Sequence, residues 1–284
     1  MSDAPRVAVV IVSYEGRDAL LACLESLRRH ASLPIEAVVV DNASTDGSAD
    51  AVRAALPAVR VLANTENVGF ARACNQGWRA SGAPVVLFLN PDAEVTPGAV
   101  GTLARLLEER PGVGAAGPRT RSADGTIQVS TGPDLSPLAE RRQRRLVLGV
   151  AHGDAEALAE AEALHSREHE PAWVSGSCLA VRRAALEAVS GFDERFFLYE
   201  EDADLCRRLR DAGWRVVFTP TAEVLHRLGA SMARAPRLAR LEYHRSHLLY
   251  YRKHNGPVAQ LALRLLLAGR ALAEWSRGVA AGDE

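Results

Sequence analysis

From Val7 to Ser13 the chain reads Val-Ala-Val-Val-Ile-Val-Ser, with no polar side chain before the last position. A strand wetted on one face alternates polar and apolar residues, so an unbroken β-branched run predicts a strand covered on both faces, as in a parallel sheet. Val85 to Leu89 repeats the pattern, Ile35 to Val40 does so around Glu36, and Val59 to Leu62 is a shorter version. Between these runs the spacing predicts helices over Asp18 to His30, from Asp46-Gly47-Ser48 to Leu56, over Phe70 to Ala80, and over Pro97 to Arg110. Strands and helices alternating at this pitch predict an α/β fold with a doubly wound mixed sheet flanked by helices. Such folds bind ligands at the carboxyl ends of their strands.

Beyond the first half the pattern loosens. Thr120 to Pro171 shows poor periodicity, punctuated by Gly, Ser, Asp and Pro, with a basic run at Arg141 to Arg145 and one Ala/Glu-rich helix near Asp154 to His165. Regular structure is expected again at Trp173 to Val181, then a helix from Arg182, an acidic segment over Asp193 to Asp204, a helix to Ala212, and two strands near Val216 to Thr219 and Val224 to His226. The tail from Arg237 to Trp275 reads as helical with a break at Asn255-Gly256-Pro257, and no internal repeat is present.

Charge and cysteine usage exclude several function classes. Lys and Arg number 34 against 35 Asp and Glu, which gives no reason to expect nucleic acid as a partner. Cys23, Cys74, Cys178 and Cys206 are far apart, without the spacing of a zinc or redox site, and read as buried free thiols. The start of the chain lacks a leader pattern, and the apolar stretch Leu261 to Trp275 is too short and too interrupted by arginines to span a bilayer. The expectation is a cytoplasmic protein, peripheral at most on the inner face of the membrane.

Chemistry-bearing residues gather at the predicted strand ends. Gly112 to Gly117 satisfies GxGxxG, but it follows a helix and runs into Pro118, so it predicts a tight turn into a short strand instead of a dinucleotide site. Asp41 ends a buried strand. Capping of the next helix is already available from Asp46 and Ser48, which leaves Asp41 for binding. Arg72 and Asn75 share one face of a helix beside the same tips, where a phosphate needs a cation, although a helical Arg is more often simply solvated. Asn90-Pro91-Asp92 would form a turn in any protein, yet one Asp offered to a diphosphate suffices for a hard divalent cation, which usually keeps waters and phosphate oxygens as further ligands. Between Gly191 and Leu205 aromatics crowd a run of carboxylates, and apolar surroundings raise an acid's pKa toward what a general base needs. His226, followed by Gly229 and Ser231, closes a later strand; alone, such a His is more often structural.

Taken in order, Val12-Ser13-Tyr14, Val40 to Ser48, Asn67-Val68-Gly69-Phe70, Leu89-Asn90-Pro91-Asp92, Gly191-Phe192-Asp193-Glu194 with Tyr199 to Leu205, and His226 to Ser231 resemble the family-2 glycosyltransferases, particularly the bacterial rhamnosyltransferase-like branch. The resemblance implies a GT-A-like fold over residues 1–231. Residues 1–118 would form the nucleotide-sugar-binding half and 119–231 the acceptor and catalytic half, with 232–284 a C-terminal helical extension. It also implies a nucleotide-diphosphate sugar donor, a divalent metal (Mg²⁺ or Mn²⁺), a glycan or lipid-linked glycan acceptor and inversion at the anomeric carbon. By position, Ser13, Tyr14 and Asp41 hold the nucleoside, Arg72 lies near its pocket, and Asn67, Gly69 and Asn90 join the donor site. Asp92 stands at the last position of the metal-binding DxD, His226 matches a histidine that meets metal or diphosphate in some relatives, and Asp202 stands at the catalytic base. Asp204 and Glu201 are the alternatives to Asp202. Asn90 replaces the first Asp of DxD and removes one carboxylate from that pair.

The resemblance makes dTDP-L-rhamnose the expected donor, with UDP-hexoses next. An inactive nucleotide-sugar-binding protein and a nucleotidyltransferase are the competing readings. Between Arg234 and Trp275, eight Lys and Arg face two acids, Glu242 and Glu274, and are interleaved with leucines and tyrosines. This pattern suits either a helix packed on the catalytic domain or one lying in an anionic membrane interface.

Overall fold

The computed structural model describes residues 4–227 and 236–281, with the side chains of 236 and 270–281 outside the description. Gly229, Ser231 and Arg234 lie outside the described residues, as do the side chains of Arg270, Glu274 and Trp275.

The first half alternates as its apolar runs require: β1 (Val7–Ser13), α1 (Arg17–His30), β2 (Ile35–Asp41), α2 (Ser48–Ala55), β3 (Arg60–Ala63), α3 (Phe70–Arg79), β4 (Val85–Leu89), β5 (Ala93–Val95) and α4 (Ala99–Glu109). The second half supplies β6 (Val113–Arg121), β7 (Ile127–Gln128), β8 (Thr131–Gly132), α5 (Pro137–Ala151), α6 (Ala155–Leu164), β9 (Trp173–Val174), β10 (Cys178–Arg182), α7 (Arg183–Ala188), α8 (Glu201–Asp211) and β11 (Arg215–His226), followed by α9 (Pro236–His254) and α10 (Pro257–Ala281). Nine strands form one mixed sheet in the order β3-β2-β1-β4-β10-β6-β11-β5, with β7 on β6. The four strands β3, β2, β1 and β4 are parallel, whereas β10 runs antiparallel between β4 and β6. The strand order departs in both directions from β1, which opens a crevice beyond its carboxyl end.

Side-chain alternation along β1 builds the two sides of the core. Val7, Val9 and Ile11 pack against Leu20, Leu24 and Leu27 of α1 and Leu103 and Leu107 of α4. Val10 and Val12 enter the opposite layer with Cys74 and Trp78 of α3, Leu205 and Leu209 of α8, and Tyr250 and Tyr251 of α9. Gly77 lets α3 approach this closely, since a Cβ there would meet Val10 Cγ1 at 2.3 Å. All four cysteines are buried free thiols, as expected.

The structure departs from the sequence expectations in three places. Gly112 to Gly117 does not lead into a short strand: β6 is nine residues long, sits inside the sheet, and takes Gly114 and Gly117 into it beside Trp214 and Val174. The two strands expected near 216–219 and 224–226 are one strand, β11, whose register shifts between Thr219 and Glu223 around Pro220. The basic run Arg141 to Arg145 lies on a 15-residue helix, α5, started by Ser136 as N-cap and Pro137 at N1. That helix buries only Leu146, so its apolar periodicity is weak.

Candidate functional site

The crevice collects the ends of β1, β2, β4 and β11 and the start of α8. Ser13 and Asp41 are directly opposite one another in the β1–β2 register. Both are buried; Asp41 Oδ2 accepts from Ser44 N at 3.1 Å, while Asp41 Oδ1 and Ser13 Oγ find no hydrogen-bond partner among the described residues. A buried carboxylate oxygen beside a buried hydroxyl, both open, is costly unless a ligand satisfies them. Tyr14 stands next to them, 47% exposed.

The loop 67–69 forms the next wall. Asn67 Oδ1 accepts from Gly69 N at 3.0 Å, and Gly69 adopts φ +85, where a Cβ would fall 2.7 Å from Phe197. Phe70 N donates to Phe197 O at 2.7 Å, tying this loop to the acidic segment. Asn42, just past the end of β2, donates to Gly69 O and accepts from Asn64, whose amide also exchanges bonds with Gln76. Arg72 stays half-exposed, 3.8 Å from Glu194, whereas Asn75 turns inward to Phe192, Glu194 and Trp78 and is structural.

On the other side of the crevice, β11 brings His226 against the Asn90-Pro91-Asp92 turn. His226 Nε2 is 3.2 Å from Asp92 Oδ1 and 3.3 Å from Asn90 Nδ2. Gln128 of β7, absent from the sequence-derived site, faces His226 Nδ1 with Oε1 at 3.0 Å and donates through Nε2 to His226 O and Ser122 Oγ. With both amide hydrogens of Gln128 engaged, its Oε1 accepts from Nδ1, and in the neutral ring Nε2 is left as a lone pair facing Asp92. Imidazole nitrogen and carboxylate oxygen converging at this separation suit two ligands of one divalent cation. Among the described residues no cluster of three or more His, Cys, Asp or Glu could hold a metal, so water or substrate oxygens would have to complete the shell.

Asp202 sits at the second position of α8. The preceding residues Tyr199 and Glu200 both adopt left-handed backbone, with φ 70 and φ 62, a conformation that costs about 1–3 kcal/mol per non-glycine residue and that surrounding contacts must hold. Those contacts come from α9: Ser246 Oγ donates to Leu198 O, Tyr243 packs edge-on to Tyr199, and His247 bonds Glu200 at 3.0 Å. Asp202 Oδ2 accepts from Gly176 N at 2.7 Å and Oδ1 from Ala203 N at 2.8 Å. Burial raises its carboxyl above the ordinary value against the lowering effect of these backbone bonds, the direction a general base requires.

The two alternative acids are held differently. Burial alone would raise Asp204, but His254, Arg208 and Lys253 outweigh it and keep its carboxyl below the ordinary range. Glu201 is buried with Oε2 unpartnered among the described residues, and burial followed by repulsion from Asp202 pushes it well up.

One turn joins the two halves of this site. Gly176 N holds Asp202, and the carbonyl of Ser177 accepts from Asn90 N at 2.9 Å. Neither Ser177 nor Gly176 belongs to a motif, which is why sequence reading missed them.

Residues 8–189 match the profile of "Glycosyl transferase family 2". The chain is a family 2 glycosyltransferase. This glycosyltransferase is 35% identical over 274 residues to the N-acetylglucosaminyl-diphospho-decaprenol L-rhamnosyltransferase of Mycobacterium tuberculosis, a match covering 92% of this chain and 89% of the relative. A shorter segment of 54 residues is 43% identical to the rhamnosyltransferase WbbL of Escherichia coli, covering 19% of this chain and 20% of that one. Its fold is similar to that of the mannosyltransferase PcManGT from Pyrobaculum calidifontis, solved with GDP-Man and Mn²⁺, with TM-score 0.58 and 21% identity over 95% of this chain and 81% of the other. The GT-A architecture implied by the sequence motifs is therefore present, as a mixed α/β sheet with flanking helices.

Proposed function

We propose that this glycosyltransferase moves an L-rhamnosyl residue from dTDP-L-rhamnose to a hydroxyl of N-acetylglucosamine carried on a lipid diphosphate, in one displacement that inverts the anomeric carbon. The observation that carries the reading is the Ser175-Gly176-Ser177 turn. It fixes the part-buried carboxylate of Asp202 and, through Ser177 O, the Asn90 turn that presents Asp92 to His226, which supports a base and a diphosphate site on either side of one crevice. Similarity to the decaprenol-linked relative along nearly its whole length supports the acceptor class.

In this reading Asp41 Oδ1 and Ser13 Oγ take the imide edge of a pyrimidine, which offers an N–H beside a carbonyl, and Tyr14, Asn67 and Gly69 border the nucleoside. Asp92 and His226 would hold Mg²⁺ or Mn²⁺, with Asn90 turned to His226. The cation supplies electrostatic stabilisation of the departing diphosphate when bound. Asp202 accepts the proton of the acceptor hydroxyl as that oxygen attacks the anomeric carbon. Asp204, occupied by Arg208, Lys253 and His254, and Glu201, favoured in its neutral form, are less suited to that step.

We further propose that the lipid-linked acceptor is met at the membrane surface. Tyr250, Tyr251 and Leu263 of the tail pack into the catalytic core, and Lys253 is committed to Asp193 and Asp204. The rest of the tail presents Leu241, Leu261, Leu265 and Leu266, with Arg237, Arg252 and Arg264 exposed among them. Among the described residues no helix is long and apolar enough to cross a membrane. A peripheral position on the inner face is consistent with this surface.

The discriminating experiment follows the nucleotide released from dTDP-L-rhamnose and UDP-hexoses. Release of nucleoside diphosphate supports the transferase, and tight binding without release supports an inactive sugar-nucleotide receptor; release of pyrophosphate from dTTP and rhamnose 1-phosphate, run in parallel, supports a nucleotidyltransferase.

A further inference from the structure

A cavity of about 500 Å³ opens beside His226 and Gln128 and runs under the α5–α6 hairpin. Its volume lies in the range of small-molecule sites. One wall is apolar, built by Val147 and Val150 of α5 and Leu158 of α6; the other includes Ser130, Ser175 and Ser177. A pyranose has the matching character, with a C–H face and a rim of hydroxyls.

Two observations tie the cavity to the chemistry. Ser175 and Ser177 flank Gly176, whose N–H anchors Asp202, so the hydroxyl wall and the base share one turn. Ser130 is 5% exposed and its Oγ finds no hydrogen-bond partner among the described residues, although its backbone N–H is engaged by His165. A buried hydroxyl left open on a residue that lines a cavity is a cost that a ligand hydroxyl or amide would remove.

We propose that this cavity is the acceptor subsite, and that Ser130 Oγ hydrogen-bonds the terminal N-acetylhexosamine of the acceptor while Val150 packs on its apolar face. The proposal rests on the transferase reading above. It gives the α5–α6 hairpin, which contributes little to the main core, a role in acceptor selection.

The test measures acceptor and donor KM separately, with N-acetylglucosaminyl-diphospho-farnesol as acceptor probe and dTDP-L-rhamnose as donor. Ser130→Ala removes only the hydroxyl and should raise the acceptor KM about tenfold, as expected for one lost hydrogen bond in a buried site. Val150→Trp should fill the cavity and raise it further, and thermal midpoints near wild type establish that both variants are folded. The donor KM should stay at the wild-type value in both. An unchanged acceptor KM in folded Ser130→Ala and Val150→Trp overturns the assignment. Failure of the transferase reading would show separately, as wild-type protein that forms no glycosylated product from the same pair.

Discussion

Gly176 N–H donates to Asp202 Oδ2 at 2.7 Å, so the orientation of the proposed base is set by the loop between β9 and β10 and not by its own helix alone. The replacement Asp202→Asn keeps nearly the same shape but cannot accept a proton. Transfer should fall by about two to four orders of magnitude while dTDP-sugar binding, followed by calorimetry, persists. Wild-type turnover in this variant would move the role to Glu201 or Asp204.

His226, at the end of β11, and Asp92, in the turn just before β5, are separated by 3.2 Å. If they share a divalent cation, Asp92→Ala should abolish the metal dependence of donor binding, and chelation of the wild type with EDTA should suppress transfer. Full activity in EDTA would mean that side chains neutralise the diphosphate, and would make Asn90 a step away from metal use. Manganese binding in the presence of dTDP, read by electron paramagnetic resonance, checks this without turnover.

His247 lies between Glu140 and Glu200, at 3.0 Å from each, with Tyr251 also donating to Glu140 and Tyr243 stacked on the ring. Burial alone would lower the imidazole, but the two carboxylates outweigh it and push its pKa up to about 9 from 6.5. A raised pKa means that the folded state binds the proton more tightly. The stabilisation is therefore full below pH 6.5 and fades as pH rises through about 9. His247→Gln should destabilise by about 3 kcal/mol at neutral pH, as for removal of one partner from a buried ion pair. Denaturant titrations should show the gap to wild type narrowing from pH 6.5 to 9, whereas a constant gap would mean that His247 acts through packing alone. Because Glu200 is one of the two left-handed residues before α8, the variant should also lower kcat.

The exposed arginines and leucines of α9 and α10 predict co-sedimentation with anionic vesicles but not with neutral ones. Salt should weaken the binding, since exposed charges are screened over about 10 Å near 0.1 M ionic strength. Protein that remains in the supernatant with anionic vesicles at low salt would favour a soluble acceptor.

The parallel half of the sheet was legible because β1, β2 and β4 are covered on both faces, which left their apolar runs nearly unbroken. The carboxyl-end residues Ser13, Asp41, Asn90 and Asp92 follow from that reading, and so does their gathering in one crevice. Gln128 and Gly176 were not legible. Gln128 lies on a two-residue strand, and Gly176 acts through its backbone, which carries no residue-type signal. The role of α9 was half legible: its leucines and tyrosines suited packing on the catalytic domain as well as a membrane interface, but nothing marked His247, Lys253 and His254 as partners for acids of the segment that carries Asp202. Long-range pairing of this kind leaves no period in a single sequence. The nine-residue β6 was obscured because its small residues Gly114, Ala115, Ala116 and Gly117 are chosen for close approach, and lack the β-branched signature of a strand.

In the proposed mechanism the sugar passes in a single displacement between a base on Asp202 and a diphosphate held near Asp92. The most direct test is the anomeric configuration of the product formed from dTDP-L-rhamnose and N-acetylglucosaminyl-diphospho-farnesol, read by nuclear magnetic resonance from the one-bond carbon–proton coupling at the new linkage. A single displacement gives a rhamnoside of configuration opposite to the donor's. A product that retains the donor configuration would contradict it.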